Sequence, residues 1–302
     1  LLEEGPYKAA FVNASTVYSG HELVKRALDD DLAVCMRKLR KIVPAKAVPL
    51  LDGFLKVWEA NNIKKVIALK ALGRAVNAGD FLHYGGDEAL VARLAGQKDL
   101  DGVVKTRLAS EWGPAIAKAM EQWRQDRDYR QLLDALDLHY NEILGGAARN
   151  ERDDDVRNFL LRKVSIINAM NALRLRKSGV SAVDAAKYVI DAPGQEFVKK
   201  MMSAKGLKEA VAIASLRLKI NVPPEVVQSA SDTGELAAIE AAFDTAFLKE
   251  ARKALSRSVL SPGVLVGYLH LKQEEVHALR MIAYATQFEV KGDIRESILA
   301  RL

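Results

Sequence analysis

Apolar residues return along this chain of 302 residues at the spacing of one α-helical face, i, i+3, i+4, i+7, in segment after segment. Runs that alternate apolar with polar residues, as a half-buried strand would, are scarce. Leu132, Leu133, Leu136, Tyr140, Ile143 and Leu144 form one stripe. Ile239, Phe243, Phe247, Leu248 and Ala251 form a second, and Val266, Leu269, Val276, Leu279 and Ile282 a third. Ala and Leu dominate, with Lys, Arg, Glu and Asp between them; these residues lose least on entering a helix. Breaks fall between the stripes, at Gly73, Gly85-Gly86, Gly113-Pro114, Gly145-Gly146, Gly179, Pro193-Gly194, Pro223-Pro224 and Pro262-Gly263. Ser181 and Ser261 stand where a side-chain oxygen can accept from the free N–H groups that open a helix, the latter with Pro262 at the first helical position. The pattern predicts an all-α chain with helices of roughly 8–20 residues joined by short loops.

Composition narrows the class. A chain that is 49% apolar and 28% charged can bury a core. At ~150 residues per domain, its length suggests about two domains. The single cysteine, Cys35, cannot form an intrachain disulfide, which excludes a disulfide-stapled secreted fold and makes a reducing compartment the default. No run approaches the ~18 apolar residues of a membrane span. The opening Leu1-Leu2-Glu3-Glu4 lacks a Met and shows no signal-peptide pattern. Work at a membrane would therefore go through a partner. The net charge of +6 is spread along the chain and is far weaker than a nucleic-acid-binding tail would show.

An internal repeat is the strongest organising feature. The stretch Glu59 to Gly73 resembles Ser165 to Gly179; Asn62 and Asn168 stand 106 apart, as do Gly73 and Gly179. Gly86-Asp87-Glu88 leads to Leu94, Gly96 and Leu100 much as Gly194-Gln195-Glu196 leads to Met202, Gly206 and Leu207, at offsets of 107–110. Adding 107 to Leu136, Asp137 and Tyr140 reaches Phe243, Asp244 and Phe247, and adding it to Asn168 reaches Glu275. Three such units exceed the chain: 61 residues precede Asn62 and 27 follow Glu275. The first unit is therefore short at its start and the third at its end. Unlike an open solenoid, a three-unit ring has no exposed ends to cap. The expected lobes are 1–108, 109–216 and 217–302.

These residues resemble the C subunits of the V/A-type rotary ATPases and ATP synthases, a family whose eukaryotic members are the V-ATPase d subunits. Glu59, Asn62-Ile63-Lys64, Lys70 and Gly73 carry the likeness in the first copy. Asn168, Leu173-Arg174 and Gly179, preceded by Leu136-Asp137 and Tyr140, carry it in the second. Pro262-Gly263, Tyr268-Leu269, Lys272, Glu275-Val276 and Leu279-Arg280-Met281-Ile282 carry it in the third. Ser165 departs from the usual acidic residue and Ala169 from the usual Ile, and the family's opening Tyr-and-Arg helix is not obvious before Phe11.

The resemblance implies three similar helical lobes with pseudo-threefold symmetry around a central hollow, a funnel. Its narrow face would sit on the cytoplasmic loops of the membrane proteolipid (c-type) ring, and its hollow would receive the foot of the central stalk, made of the D and F subunits. Such a protein turns with the rotor in ATP-linked ion transport. It is peripheral to the membrane on the cytoplasmic side, spans no membrane, binds no nucleic acid and has no catalytic, cofactor or metal site. The positive charge would suit acidic patches on a stalk or ring, and apolar residues are expected exposed where the stalk docks.

Two other readings stay open on the residues alone. One is an all-α, magnesium-dependent enzyme of the prenyl-transfer kind, to which Asp29-Asp30-Asp31 and Asp153-Asp154-Asp155 would lend carboxylates. Consecutive residues point in different directions on a helix, so an acidic loop or helix start is the plainer expectation. The other is a helical adaptor or RNA-binding module using Arg162-Lys163 and Arg174-Leu175-Arg176-Lys177. The histidines His21, His83, His139, His270 and His277 include no pair at i, i+4 flanked by Glu, as a zinc hydrolase needs. Gly85-Gly86 and Gly145-Gly146 lack the Lys-Ser/Thr of a phosphate-binding loop. Cys35 is expected as a small core residue, and Trp58, Trp112 and Trp123 as core anchors. Leu279→Asp is expected to destabilise strongly, by placing a charge on an apolar stripe.

Overall fold

The computed structural model describes residues 5–77, 81, 88–108, 110–257 and 261–289. Leu1 to Glu4, His83, Gly85, Gly86 and Asp87 lie outside the described residues. The described chain is all-helical: α1 (Lys8–Ser15), α2 (Gly20–Ile42), α3 (Val48–Ala71), α4 (Glu88–Ala95), α5 (Leu100–Leu108), α6 (Gly113–Asp126), α7 (Arg130–Asn150), α8 (Asp154–Lys177), α9 (Ala182–Ala185), α10 (Phe197–Ser203), α11 (Leu207–Leu218), α12 (Pro224–Thr233), α13 (Ala237–Arg257) and α14 (Gly263–Gln287), with 3-10 turns at Ala45–Ala47 and Ala186–Tyr188. The longest helices run past the expected range, to 24 residues in α3 and α8 and 25 in α14.

The helix ends follow from local chemistry. Asp153 accepts from the N–H groups of Asp155 and Val156, both at 3.1 Å, and so opens α8. Ser181 accepts from Asp184 N–H at 3.1 Å to open α9, and Ser261 accepts from Gly263 N–H at 3.0 Å. The Ser261 hydroxyl also donates to the Asp153 carboxylate at 3.2 Å, so one cap supports the other. Gly73 (φ 64°) and Gly179 (φ 70°) take the left-handed conformation that ends α3 and α8. Beyond them Arg74 N–H reaches Leu69 O at 2.8 Å, and Val180 N–H reaches Leu175 O at 3.0 Å.

The element order repeats. α3 and α8 have equal lengths of 24 residues, and α7 and α13 equal lengths of 21. A left-handed residue precedes each of the latter, Arg127 (φ 60°) and Gly234 (φ 74°), 107 positions apart. A proline opens both α6 and α12. Lys70 near the end of α3 donates to Gln97 O past α4; Arg176, 106 residues on, donates to Met202 O and Ala204 O at the end of α10. Long pairs α2–α3, α7–α8 and α13–α14 thus recur in order, the first two each followed by a set of short helices.

Two compact units result, one from residues 1–140 and 271–302, the other from residues 141–270; their boundaries fall inside α7 and α14. The first has a core of Ile63, Val66, Ile67, Val103, Trp112, Ile116, Leu132 and Leu136. In the second, α8 packs against α10, α11 and α13, and Leu160, Val164, Leu173, Met201, Ala214, Ile239 and Phe243 of these helices are buried.

Several sequence expectations change. Gly145 and Gly146 do not break a helix; they lie within α7, where residue 145 must be small because the 190–191 segment crosses it. Asp29 to Asp31 sit in the middle of α2, neither in a loop nor at a helix start, while Asp153 to Asp155 do form a helix start. Cys35 is half-buried, not a core residue, whereas Trp58, Trp112 and Trp123 are buried. The third stripe is buried from Val266 to Val276, but Leu279 and Ile282 are only half-buried. An aspartate at 279 could turn toward water, so the strong loss expected of Leu279→Asp becomes a modest one.

Candidate functional site

The residues that carry the resemblance are mostly framework. Glu59, on α3, accepts from Arg107 Nη2 at 3.0 Å and from the Trp112 indole N–H at 2.9 Å. Burial lowers the Arg107 pKa and the charge of Glu59 opposes that, so the two ions are kept as a pair inside the first unit. Asn62 is buried on the same helix, and Lys64 pairs with Asp137 of α7 at 2.6 Å. Ser165, the departure in the second copy, accepts from Gln195 Nε2 at 2.9 Å.

Asn168 is fully buried and grips the main chain. Its amide donates to Ile190 O at 2.9 Å and to Gln195 Oε1 at 3.0 Å, and its carbonyl accepts from Ile190 N–H at 2.8 Å. This fastens the irregular segment before α10 to α8, where no helix could satisfy those backbone groups. Beside that segment lies a cavity of about 550 Å³, walled by Val183, Ala186, Val189, Ile190, Val198 and Met202. The repeat marks Asn168 and Gln195 in the sequence, but neither amide announces which distant group it will hold, and Ile190 carries no signal there.

A second polar cluster joins α14 to α1 and α2 within the first unit. Lys272 donates to the Tyr7 hydroxyl at 2.8 Å, sits 4.4 Å from the centre of the Tyr7 ring, and lies 3.2 Å from Asp31 and 3.3 Å from Glu275. Burial works against the lysine's charge, yet the Tyr7 hydrogen bond and the carboxylates of Glu275 and Asp31 outweigh it and raise its pKa. Burial pushes the Tyr7 phenol up to about 12, so it stays protonated. Arg280 pairs with Asp29, whose pKa burial raises against the pull of that arginine. Asp30 pairs with Arg26 at 3.5 Å. The three aspartates therefore face three different cations and do not converge on one point.

The remaining candidate groups have ordinary surroundings. His270 is buried against Phe159 and Phe247, with ring centres 6.2 and 4.5 Å away, and burial together with the charge of Lys163 pushes its pKa down to about 3. His139 lies against Trp112, His21 against Phe288, and His277 is exposed. Arg174 pairs with Glu240 at 2.5 Å, and Arg176 is spent on carbonyls, so the basic run is no open stripe. Among the described residues no three His, Cys, Asp or Glu side chains gather as a metal site would require. Large apolar side chains stand exposed at Val183, Tyr188, Met281, Tyr284 and Phe288. The arrangement offers contact surfaces on a cross-braced helical frame.

Comparison with known proteins agrees with that frame. The family model of the ATP synthase (C/AC39) subunit matches residues 1–296. The A-type ATP synthase C subunit of Haloferax volcanii is 25% identical, over 100% of this chain and 88% of the relative. Its counterpart in Haloquadratum walsbyi is 26% identical, over 97% of this chain and 86% of the relative. That of Methanocaldococcus jannaschii is 25% identical, over 100% and 78%.

Proposed function

We infer that this chain, which belongs to the ATP synthase (C/AC39) subunit family, is the central-rotor component that joins the central stalk, with its D and F subunits, to the proteolipid (c-type) ring of a V/A-type rotary ATPase. The family is one of non-catalytic ATP synthase subunits, and this chain is a non-catalytic subunit of that kind. The match over residues 1–296 carries the reading. The recurring long pairs α2–α3, α7–α8 and α13–α14 support three lobes, 1–108, 109–216 and 217–302, each holding one pair. In this reading the lobes stand with pseudo-threefold symmetry around a hollow that takes the stalk foot. Among the described residues no helix is long and apolar enough to cross a membrane. Attachment through the ring, on the cytoplasmic side, is consistent with that. A passive joint must transmit torque without deforming, and pairs such as the buried Arg107 with the half-buried Glu59 tie helices to each other as that task requires.

The test is retention of the purified chain on an immobilised D–F stalk pair and on a detergent-solubilised proteolipid ring. Binding to both is expected, and binding to neither removes the rotor reading. Magnesium-dependent thermal stabilisation by a diphosphate ligand would instead favour the prenyl-transfer reading.

A further inference from the structure

The first unit is held together in two chemically different ways. Its centre, from α3 through the start of α7, is an apolar core in which Ile63, Val66, Ile67, Val103, Trp112, Ile116, Leu132 and Leu136 are entirely buried. Where α1, α2 and α14 meet, ion pairs are set among apolar contacts: α1 packs along α2, and α2 buries Leu28, Leu32 and Met36. The polar contacts run in opposite directions along two helices, with Asp31 against Lys272, Asp29 against Arg280 and His21 against Gln287, so α2 and α14 lie antiparallel. Around those contacts, Leu279 and Ile282 are only half-buried and Met281, Tyr284 and Phe288 are exposed. α1 has eight residues and buries only Phe11 and Ala14 along its own length, with Tyr7 just ahead of it. A helix that short does not persist alone in water. It packs along α2, and Tyr7 just ahead of it, 4% exposed, is held to α14 by Lys272 through a hydrogen bond and across the ring face.

We propose that this junction is an electrostatic clasp: Lys272 and Arg280 fasten α14 to the Asp29 and Asp31 carboxylates of α2 and to Tyr7, and α1 and the C-terminal half of α14 release together, as one cooperative unit, while the apolar core of residues 60–140 stays folded. The physical ground is the difference in what must be broken. Separating the core exposes large apolar side chains. Opening the clasp rehydrates ions, and beside them Leu279 and Ile282 are half-buried and Met281, Tyr284 and Phe288 exposed. Partly buried ion pairs weaken with added salt, though less than exposed ones, while apolar contacts do not. Lys272 is the keystone because it touches α1, α2 and its own helix at once. The proposal does not depend on the rotor reading and stands if that reading fails.

Hydrogen exchange read by mass spectrometry on the full chain tests it. In Lys272→Met, amides of residues 8–15 and 276–287 are expected to exchange about ten- to a hundredfold faster, the range set by losing one or two charged hydrogen bonds. Helices α8, α11 and α13 should be unchanged, and Lys272→Arg should restore most of the protection. Raising salt from about 0.05 to about 1 M, which shortens the screening length severalfold, should speed the same two segments together in the unaltered chain. That arm keeps the test open if Lys272→Met does not fold. Three results would overturn the proposal: no change at residues 8–15, a change there that leaves 276–287 protected, or acceleration spread evenly over every helix.

Discussion

Replacing Asn168 by Leu tests whether one buried amide holds the segment before α10. Leucine keeps the branched heavy-atom shape of asparagine and is bulkier, so the change removes hydrogen bonds without leaving a cavity. Ile190 would lose the partner of both its N–H and its C=O, now at 2.8 and 2.9 Å, and Gln195 Oε1 would lose its donor. Ile190 is 1% exposed, so water does not readily replace them. At about 1–3 kcal/mol for each orphaned buried group, the two main-chain groups alone suggest a loss near 4 kcal/mol. In a chain of this size that lowers the melting temperature by about 6 °C. Ser165→Ala, which removes only the acceptor for Gln195 Nε2, should cost about 1 kcal/mol. The assay is urea unfolding followed by circular dichroism, with exchange at residues 182–195 as the local readout. A loss under about 1 kcal/mol for Asn168→Leu would show that Ile190 finds other partners, and that the amide is not the pin.

Two further outcomes follow from groups already placed. His270 has a folded-state pKa depressed to about 3 from an ordinary 6.5, so its share of stability is complete above about pH 6.5 and is lost as pH falls toward 3. Between pH 8 and pH 5 that amounts to about 2 kcal/mol; His270→Leu, which also removes a buried Nδ1 without a partner, should flatten this part of the profile, and an unchanged profile would refute the assignment. On α7, adjacent glycines should respond oppositely. A methyl at Gly145 would lie 2.7 Å from Ile190 Cγ2 and 2.9 Å from Asp191 O, so Gly145→Ala should lower stability by about 1–3 kcal/mol. The nearest atom at Gly146 is 3.8 Å away, so Gly146→Ala should raise stability by up to about 1 kcal/mol; denaturation midpoints that move in the same direction would contradict the packing.

The long stripes show where local and tertiary information part. Ile239, Phe243, Phe247, Leu248 and Ala251 share one helical face in the sequence, and all are buried, because an apolar face on a helix has only one stable use. The stripe from Val266 to Ile282 has the same period, yet Leu279 and Ile282 beyond Val276 are only half-buried, where Arg280 of the same helix turns to pair with Asp29 of α2. Periodicity reports what a helix offers and not what meets it. The paired aspartates illustrate the same limit. Asp153 acts as a cap, as its position before an apolar run suggests, but Asp29 and Asp31 take their meaning from Arg280 and Lys272, some 240 to 250 residues away.

The all-helical class, the near-107 spacing with its matched glycine ends, and the family itself were determined by the sequence alone, because helix periodicity, left-handed glycines and caps are local properties of a few successive residues. Only the tertiary structure decided that Gly145 admits a crossing segment, that Asn168 holds Ile190, and that Lys272 binds Tyr7. Each of those depends on which distant backbone or charge arrives at the site, and a one-dimensional pattern does not contain that distance.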